Sequence, residues 1–107
     1  MVTKKIRLII KKYISELEKN GLTISRVFLY GSHAYGKPNT DSDIDLLIVS
    51  PQFDNMKRGE YSAKLWLATE TVDYLIEPIG VGEKFFNSNK FSPLLDLVKT
   101  KGLEIAA

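Results

Sequence analysis

Two aspartates two residues apart, Asp43 and Asp45, stand at the mouth of the most apolar stretch in this sequence, Ile44-Asp45-Leu46-Leu47-Ile48-Val49. Side chains two apart on an extended strand point to the same face, so these carboxylates would project side by side. Carboxylates seldom enter apolar surroundings unless they are paired or bound to metal. At a separation of about 4 Å two of them repel by roughly 4 kcal/mol for an effective dielectric near 20. A cation would offset that cost. With no cysteine and a single histidine in the chain, only oxygen ligands are on offer, which selects a hard cation, Mg²⁺ or Mn²⁺. A third acid, Asp73, lies in Thr71-Val72-Asp73-Tyr74-Leu75-Ile76, again an acid in a β-rich run. If that strand neighbours the first, three carboxylates converge. Three acids can hold two metal ions about 3.5–4 Å apart, an arrangement that supports in-line phosphoryl displacement.

Phosphate needs an anion cradle as well as metal. Upstream of the aspartates runs Gly31-Ser32-His33-Ala34-Tyr35-Gly36, directly after the β-rich stretch Ile24 to Tyr30. A strand that ends in Gly-Ser lets backbone amides approach phosphate oxygens closely, and the serine hydroxyl adds a donor. Gly31, Ser32 and Gly36 are therefore the candidate nucleotide-binding residues, and Asp43, Asp45 and Asp73 the candidate catalytic and metal-binding ones. Two competing motifs fail. Gly31-x-x-x-x-Gly36-Lys37 matches a P-loop until Pro38, which offers neither a hydroxyl for Mg²⁺ nor an amide for phosphate. Asp41-x-Asp43-x-Asp45 begins like a calcium loop, but Leu46 stands where glycine must allow the sharp turn and Gln52 where a bidentate glutamate belongs.

The elements that must position these residues follow from periodicity. Ile6, Ile9, Ile10, Tyr13, Ile14 and Leu17 recur at helical spacing before an Asn20-Gly21 stop, predicting an amphipathic helix from Thr3 to Lys19. Ile24 to Tyr30 reads as a strand, Lys37 to Thr40 as a polar loop, and Ile44 to Val49 as a strand covered on both faces and stopped by Pro51. Lys57 to Ala68 predicts a helix, Thr71 to Ile76 a strand closed by Pro78, and Ser92-Pro93 the capped start of a helix ending at Gly102. This alternation implies a small α/β (α+β) domain: a mixed sheet of three to four strands with helices packed on it. Strand order does not follow from periodicity.

The chain of 107 residues is expected to form one domain, residues 1–107, without a second core. Its apolar share (44%) and charged share (26%) are those of an ordinary globule. No apolar run approaches the roughly 20 residues of a membrane span, and no signal peptide is visible. Absent cysteine fits a reducing, cytoplasmic setting. A net charge of +2 is too small to argue for nucleic acid, so a nucleic-acid partner is not expected. The early cluster Lys4, Lys5, Arg7, Lys11 and Lys12 reads as the wet face of the first helix.

Taken together, Gly31-Ser32-x-Ala34-x-Gly36, six residues, then Asp43-x-Asp45-Leu46 resembles the signature of the polymerase-β-like nucleotidyltransferase superfamily. Within it the chain is similar to the stand-alone minimal nucleotidyltransferases often found beside HEPN-type proteins. The resemblance implies a palm-like fold and transfer of a nucleoside monophosphate from ATP or another nucleoside triphosphate, with two Mg²⁺ or Mn²⁺ ions. It implies that Asp43 and Asp45 hold both metals, that Asp73 holds the catalytic one and helps to activate the acceptor hydroxyl, and that Gly31 and Ser32 hold the triphosphate. It also implies a HEPN-type protein partner whose tyrosine is the acceptor, the pair acting as toxin and antitoxin. Tyr35 departs from the pattern, since many partner-modifying members carry arginine there.

Plainer roles compete for several residues. Asp43 and Asp45 could be solvated turn acids, and Ser32 a helix N-cap. His33 is expected to be an exposed loop residue and Asp41 a loop carboxylate beside the site. Tyr61 and Trp66, at helical spacing with Leu65, are expected in the core. Phe85, Phe86 and Phe91 are expected to be exposed apolar residues at a partner interface. The opposing functional classes are a non-catalytic neutralising partner with a vestigial metal site, and a transferase acting on a small molecule or an RNA end. Metal-dependent release of pyrophosphate separates the scaffold from the enzyme.

Overall fold

The computed structural model describes residues 2–88 and 90–105. Helix α1 (Lys4–Lys19) is capped by Thr3, whose hydroxyl accepts from the Ile6 amide, and it buries Ile6, Ile10, Tyr13, Ile14 and Leu17. The five early basic residues lie exposed on its opposite face. Asn20 caps its end and Gly21 turns the chain at φ +89°. Strand β1 (Arg26–Tyr30) then leads into a four-residue helix α2 (Ser32–Tyr35). Strand β2 (Ile44–Ser50) is followed by a 3-10 turn (Pro51–Asp54), helix α3 (Arg58–Val72) and strand β3 (Ile76–Gly82). A short helix α4 (Glu83–Phe86), helix α5 (Pro93–Lys101) and strand β4 (Leu103–Ile105) complete the fold.

The four strands form one mixed sheet in the order β3-β2-β1-β4. β1 runs antiparallel to both β2 and β4, whereas β2 and β3 are parallel and joined through α3. Val27, Leu29, Ile44, Leu46, Ile48 and Ile76 face α1 and α3. Phe28, Leu47 and Val49 face the opposite way, against Phe86, Leu95 and Val98 of α4 and α5. Strand β2 is thus covered on both faces, as its unbroken apolar run implies. Across the first layer the buried Tyr13 hydroxyl donates to the Leu65 carbonyl at 2.7 Å, and burial raises its pKa above the ordinary tyrosine range.

Several sequence expectations are corrected. The strand expected over Thr71 to Ile76 is not there: α3 continues through Val72, and Asp73 is its C-terminal cap. Thr69 and Thr71 satisfy their hydroxyls on the carbonyls of Trp66 and Ala68, and Thr69 and Ala68 are buried, so packing carries the helix past its weaker formers. Pro78 does not close a strand but sits within β3. A proline is tolerated there because β3 is the edge of the sheet, where a missing amide leaves no strand partner unpaired. Tyr61 is in the core as expected, but Trp66 is 47% exposed on the outer side of α3. Phe86 is core rather than interface, stacked on Phe28 with ring centroids 5.3 Å apart, while Phe85 and Phe91 are exposed. Helix α4 and strand β4 had no sequence signal of their own.

Candidate active site

The register of the sheet builds the site. Tyr30 on β1 lies opposite Asp45 on β2, and Asp45 lies level with Glu77 on β3. This row lies on the sheet face that carries Leu47 and Val49 farther along. The Glu77 carboxyl lies beside those of both Asp43 and Asp45, within the range over which they act on one another. Three carboxylates therefore meet at one end of the sheet, and the third of them is Glu77, not Asp73. Asp73, displaced to the end of α3, accepts the Leu75 amide at 2.9 Å in its own turn. It borders a separate cleft of about 320 Å³ lined by Ile6, Ile9, His33, Pro38, Ser42 and Leu75. The signal that could have found Glu77 was of the same kind as that for Asp73: an acid flanked by apolar residues, in Leu75-Ile76-Glu77-Pro78-Ile79.

The Gly31-Ser32 turn is pressed against this cluster. Gly31 has φ +76°, and a methyl group there would overlap the Asp45 carboxylate oxygen Oδ2. Glycine is required twice over, by conformation and by contact. Gly31 occupies the N-cap position of α2, so Ser32 does not take the plainer role of a cap, and no side-chain capping bond is formed. Gly36 closes α2: its amide donates to the Ser32 carbonyl at 3.0 Å, and a Cβ there would come within 2.9 Å of Ser32 Cα. His33 is half-buried rather than exposed, with Nε2 3.3 Å from the Ser42 carbonyl. It thereby ties α2 to the loop that delivers Asp43. Asp41 is an exposed loop carboxylate, as expected.

Burial, and after it charge repulsion, raise the proton affinity of Asp45 and Glu77. Burial, and then the neighbouring Asp43, push the Asp45 pKa upward, partly countered by the Glu77 hydrogen bond and by His33. Glu77 is raised by lost solvation, then by Asp43 and Asp45, although its exposure lets water screen much of that effect. The Tyr30 hydroxyl is pushed up to about 12 by burial, then by Asp45 and Glu77. Three adjoining hard oxygen donors, with Asp45 and Glu77 raised in proton affinity, are a donor set suited to a divalent cation. The side chains lie beside one another rather than surround a common point; among the described residues no three acidic or imidazole groups already enclose a metal position.

A stability prediction follows. Asp45 and Glu77 bind protons more tightly in the folded than in the unfolded chain. Their contribution is complete below the ordinary carboxylate range, about pH 4, and is lost as pH rises through the raised folded values. In chelator, the melting temperature of the wild type should therefore fall relative to Glu77→Gln as pH climbs through that window. At neutral pH, Mg²⁺ should raise the melting temperature of the wild type far more than that of Asp45→Asn or Glu77→Gln, by mass action on the native state. Equal Mg²⁺ shifts in wild type and variants would speak against a metal site here.

Comparison with known proteins agrees with this fold. The family model described as nucleotidyltransferase domain matches residues 9–99. No functionally curated protein shows significant similarity to the chain. Among solved structures, a toxin-antitoxin complex with AMP-PNP is 26% identical with a TM-score of 0.58, the match covering 90% of this chain and 71% of that one. A tri-AMPylated Shewanella oneidensis HEPN toxin in complex with MNT antitoxin is 22% identical with a TM-score of 0.55, covering 94% and 71%. The toxin-antitoxin MntA-HepT is 24% identical with a TM-score of 0.54, over the same shares of each chain. At those two identities the likeness speaks to the fold. Among the described residues no helix is long and apolar enough to cross a membrane.

Proposed function

This chain belongs to the nucleotidyltransferase domain family, and on that premise we propose that it transfers AMP from ATP to a tyrosine hydroxyl of a HEPN-type partner protein, acting as the antitoxin of the pair. The observation that carries the reading is the abutment of Gly31 on Asp45, with Asp43 and Glu77 alongside. Anion cradle and acidic cluster share one wall, so a triphosphate held by the first presents its phosphorus to the second. Gly31, Ser32 and Gly36 shape the cradle, and the Ser32 hydroxyl, not spent on capping, is available to a phosphate oxygen. Asp43, Asp45 and Glu77 would hold two Mg²⁺ or Mn²⁺ ions. Such ions supply Lewis-acid stabilisation of the charge developing on the phosphoryl oxygens.

The chain's own residues account for the remaining tasks. The acceptor oxygen bonds to the α-phosphorus as the bond to the pyrophosphate oxygen breaks, and the acceptor proton must leave. Glu77, at the exposed rim and with raised proton affinity, is the carboxylate best placed to take it. Tyr30 forms the floor beside Asp45 and stays neutral at physiological pH, so it adds no further negative charge. Asp73, engaged in its own turn, holds no metal in this reading.

AMP and a HEPN-type tyrosine are favoured over other donors and acceptors by the company the fold keeps. A related structure carries AMP-PNP, and another contains an AMPylated HEPN toxin with its MNT antitoxin. A nucleic-acid acceptor is disfavoured by the slight charge excess, because gripping an extended polyanion takes several phosphate contacts. The test is to incubate this protein with a co-expressed HEPN-type neighbour, Mg²⁺ and ATP, and to weigh the partner. The expected outcome is one or more adenylate increments on a tyrosine, together with released pyrophosphate. Transfer to RNA or a small molecule, with an unmodified partner, would overturn the choice of acceptor. Tight binding without modification would favour the scaffold class.

A further inference from the structure

The register between β1 and β4 carries the end of α5 to the phosphate cradle. Leu29 pairs with Leu103, the first residue of β4, so α5, which ends at Lys101 two residues earlier, finishes beside the end of β1. The connection is tight. The Gly102 amide donates to the Val98 carbonyl at 2.8 Å, and a Cβ on Gly102 would come within 2.6 Å of that oxygen. Lys101, the last residue of α5, is thereby fixed beside α2, with Nζ 5.9 Å from the centroid of the Tyr35 ring. Tyr35 is the last residue of the short helix that Gly31 and Ser32 open.

Two other cations on this side of the sheet are occupied. Arg26 forms a two-point hydrogen-bonded pair with Glu104 at 2.7 and 2.8 Å. The Lys99 ammonium donates to the Phe86 carbonyl at 2.7 Å. Among the described residues Lys101 has no hydrogen bond or ion pair of this kind, only the ring face of Tyr35. A cation held over an exposed ring is held weakly and is released to a stronger anionic partner at little cost. The need for one is electrostatic. Asp43, Asp45 and Glu77 already crowd this end of the sheet, and a triphosphate would add several more negative charges to it.

We propose that Lys101 binds the triphosphate, its ammonium reaching over Tyr35 to the phosphate oxygens distal to the site of transfer. This rests on the nucleotidyl-transfer reading above and adds a residue to it. Lys101 acts there as a point charge rather than a fork, so it contributes affinity for phosphate and no preference for a base.

The test separates phosphate from base. Affinities of wild type and Lys101→Met are measured by calorimetry for inorganic tripolyphosphate, ATP and adenosine, with Mg²⁺ present. Lys101→Met should weaken tripolyphosphate and ATP by about tenfold each, the loss of one charge-assisted contact, and leave adenosine unchanged. The KM for ATP should rise by a similar factor with kcat within about twofold, as for a contact made equally in ground and transition states. Lys101→Arg should bind like wild type. Tyr35→Arg in the Lys101→Met background should restore most of the lost affinity, since position 35 lies directly beneath the missing charge. A purely structural role would instead lower the melting temperature of Lys101→Met and affect all three ligands alike, and would overturn the proposal. Unchanged tripolyphosphate binding in a folded Lys101→Met, with Asp45→Asn still inactive, would overturn it and leave the reading of the site standing. A wild type that binds neither ATP nor tripolyphosphate would overturn both.

Discussion

Exchanging Asp45 or Glu77 for its amide should lower nucleotidyl transfer by at least about a thousandfold, the scale expected when a shared metal site loses a ligand. Asp43→Asn should do the same. Asp73→Asn, by contrast, should stay within about tenfold of wild type, because its carboxylate is committed to the Leu75 amide at the end of α3. The contrast between Glu77 and Asp73 is the sharpest expectation of this structure. Both are acids in apolar surroundings a few residues apart, and only Glu77 stands level with Asp45 in the sheet, beside the other two carboxylates. Losses within the cluster should also be non-additive, so that Asp45→Asn with Glu77→Gln is hardly worse than either alone. Metal-dependent pyrophosphate release measures all of these. An active Glu77→Gln beside a dead Asp73→Asn would return the third ligand to Asp73 and refute the assignment made from the sheet register.

Gly31→Ala should cost both stability and activity. Gly31 lies at φ +76° and ψ −156°, a region essentially reserved for glycine that costs other residues roughly 1–3 kcal/mol, and the added methyl must also displace the Asp45 carboxylate. Gly21 supplies the control. It too has a positive φ, +89°, but nothing lies within 4 Å of where its Cβ would be. Gly21→Ala should therefore show the backbone cost alone, a drop in melting temperature of roughly 4–8 °C for each kcal/mol in a domain of this size, with turnover retained. Gly31→Ala should melt lower still and lose most of its transfer activity. Calorimetric melting and pyrophosphate release on the two variants decide the matter. Full turnover in Gly31→Ala would mean that the cradle and the carboxylates are less tightly joined than the structure places them.

Part of this protein is written in local sequence. Helix α1 follows from Ile6, Ile10, Tyr13, Ile14 and Leu17 at three- and four-residue spacing, with Thr3 and Gly21 at its ends. Strand β2 follows from its apolar run, and α5 from Ser92 and Pro93, whose roles are set by the geometry of a single turn. The pairing of Asp43 with Asp45, and the nearness of a Gly-Ser turn to them, are equally local, because a period of two and a short loop are enough to bring them together.

The third carboxylate was beyond that reach. Whether Thr69 to Val72 continues a helix or begins a strand depends on the burial of Ala68 and Thr69, not on their own weak preferences. That choice moves β3 five residues along the chain and exchanges Asp73 for Glu77. Pro78 reads as a stop until the sheet order puts β3 at an edge, where its missing amide leaves no strand unpaired. Lys101 and Tyr35 are far apart in sequence, and the pairing of β1 with β4 brings the end of α5 beside α2. Helical and strand periods are fixed by bonds between near neighbours and can be read from one segment at a time. Register between strands is fixed by the packing of both sheet faces at once, and it is register that sets Glu77 level with Asp45.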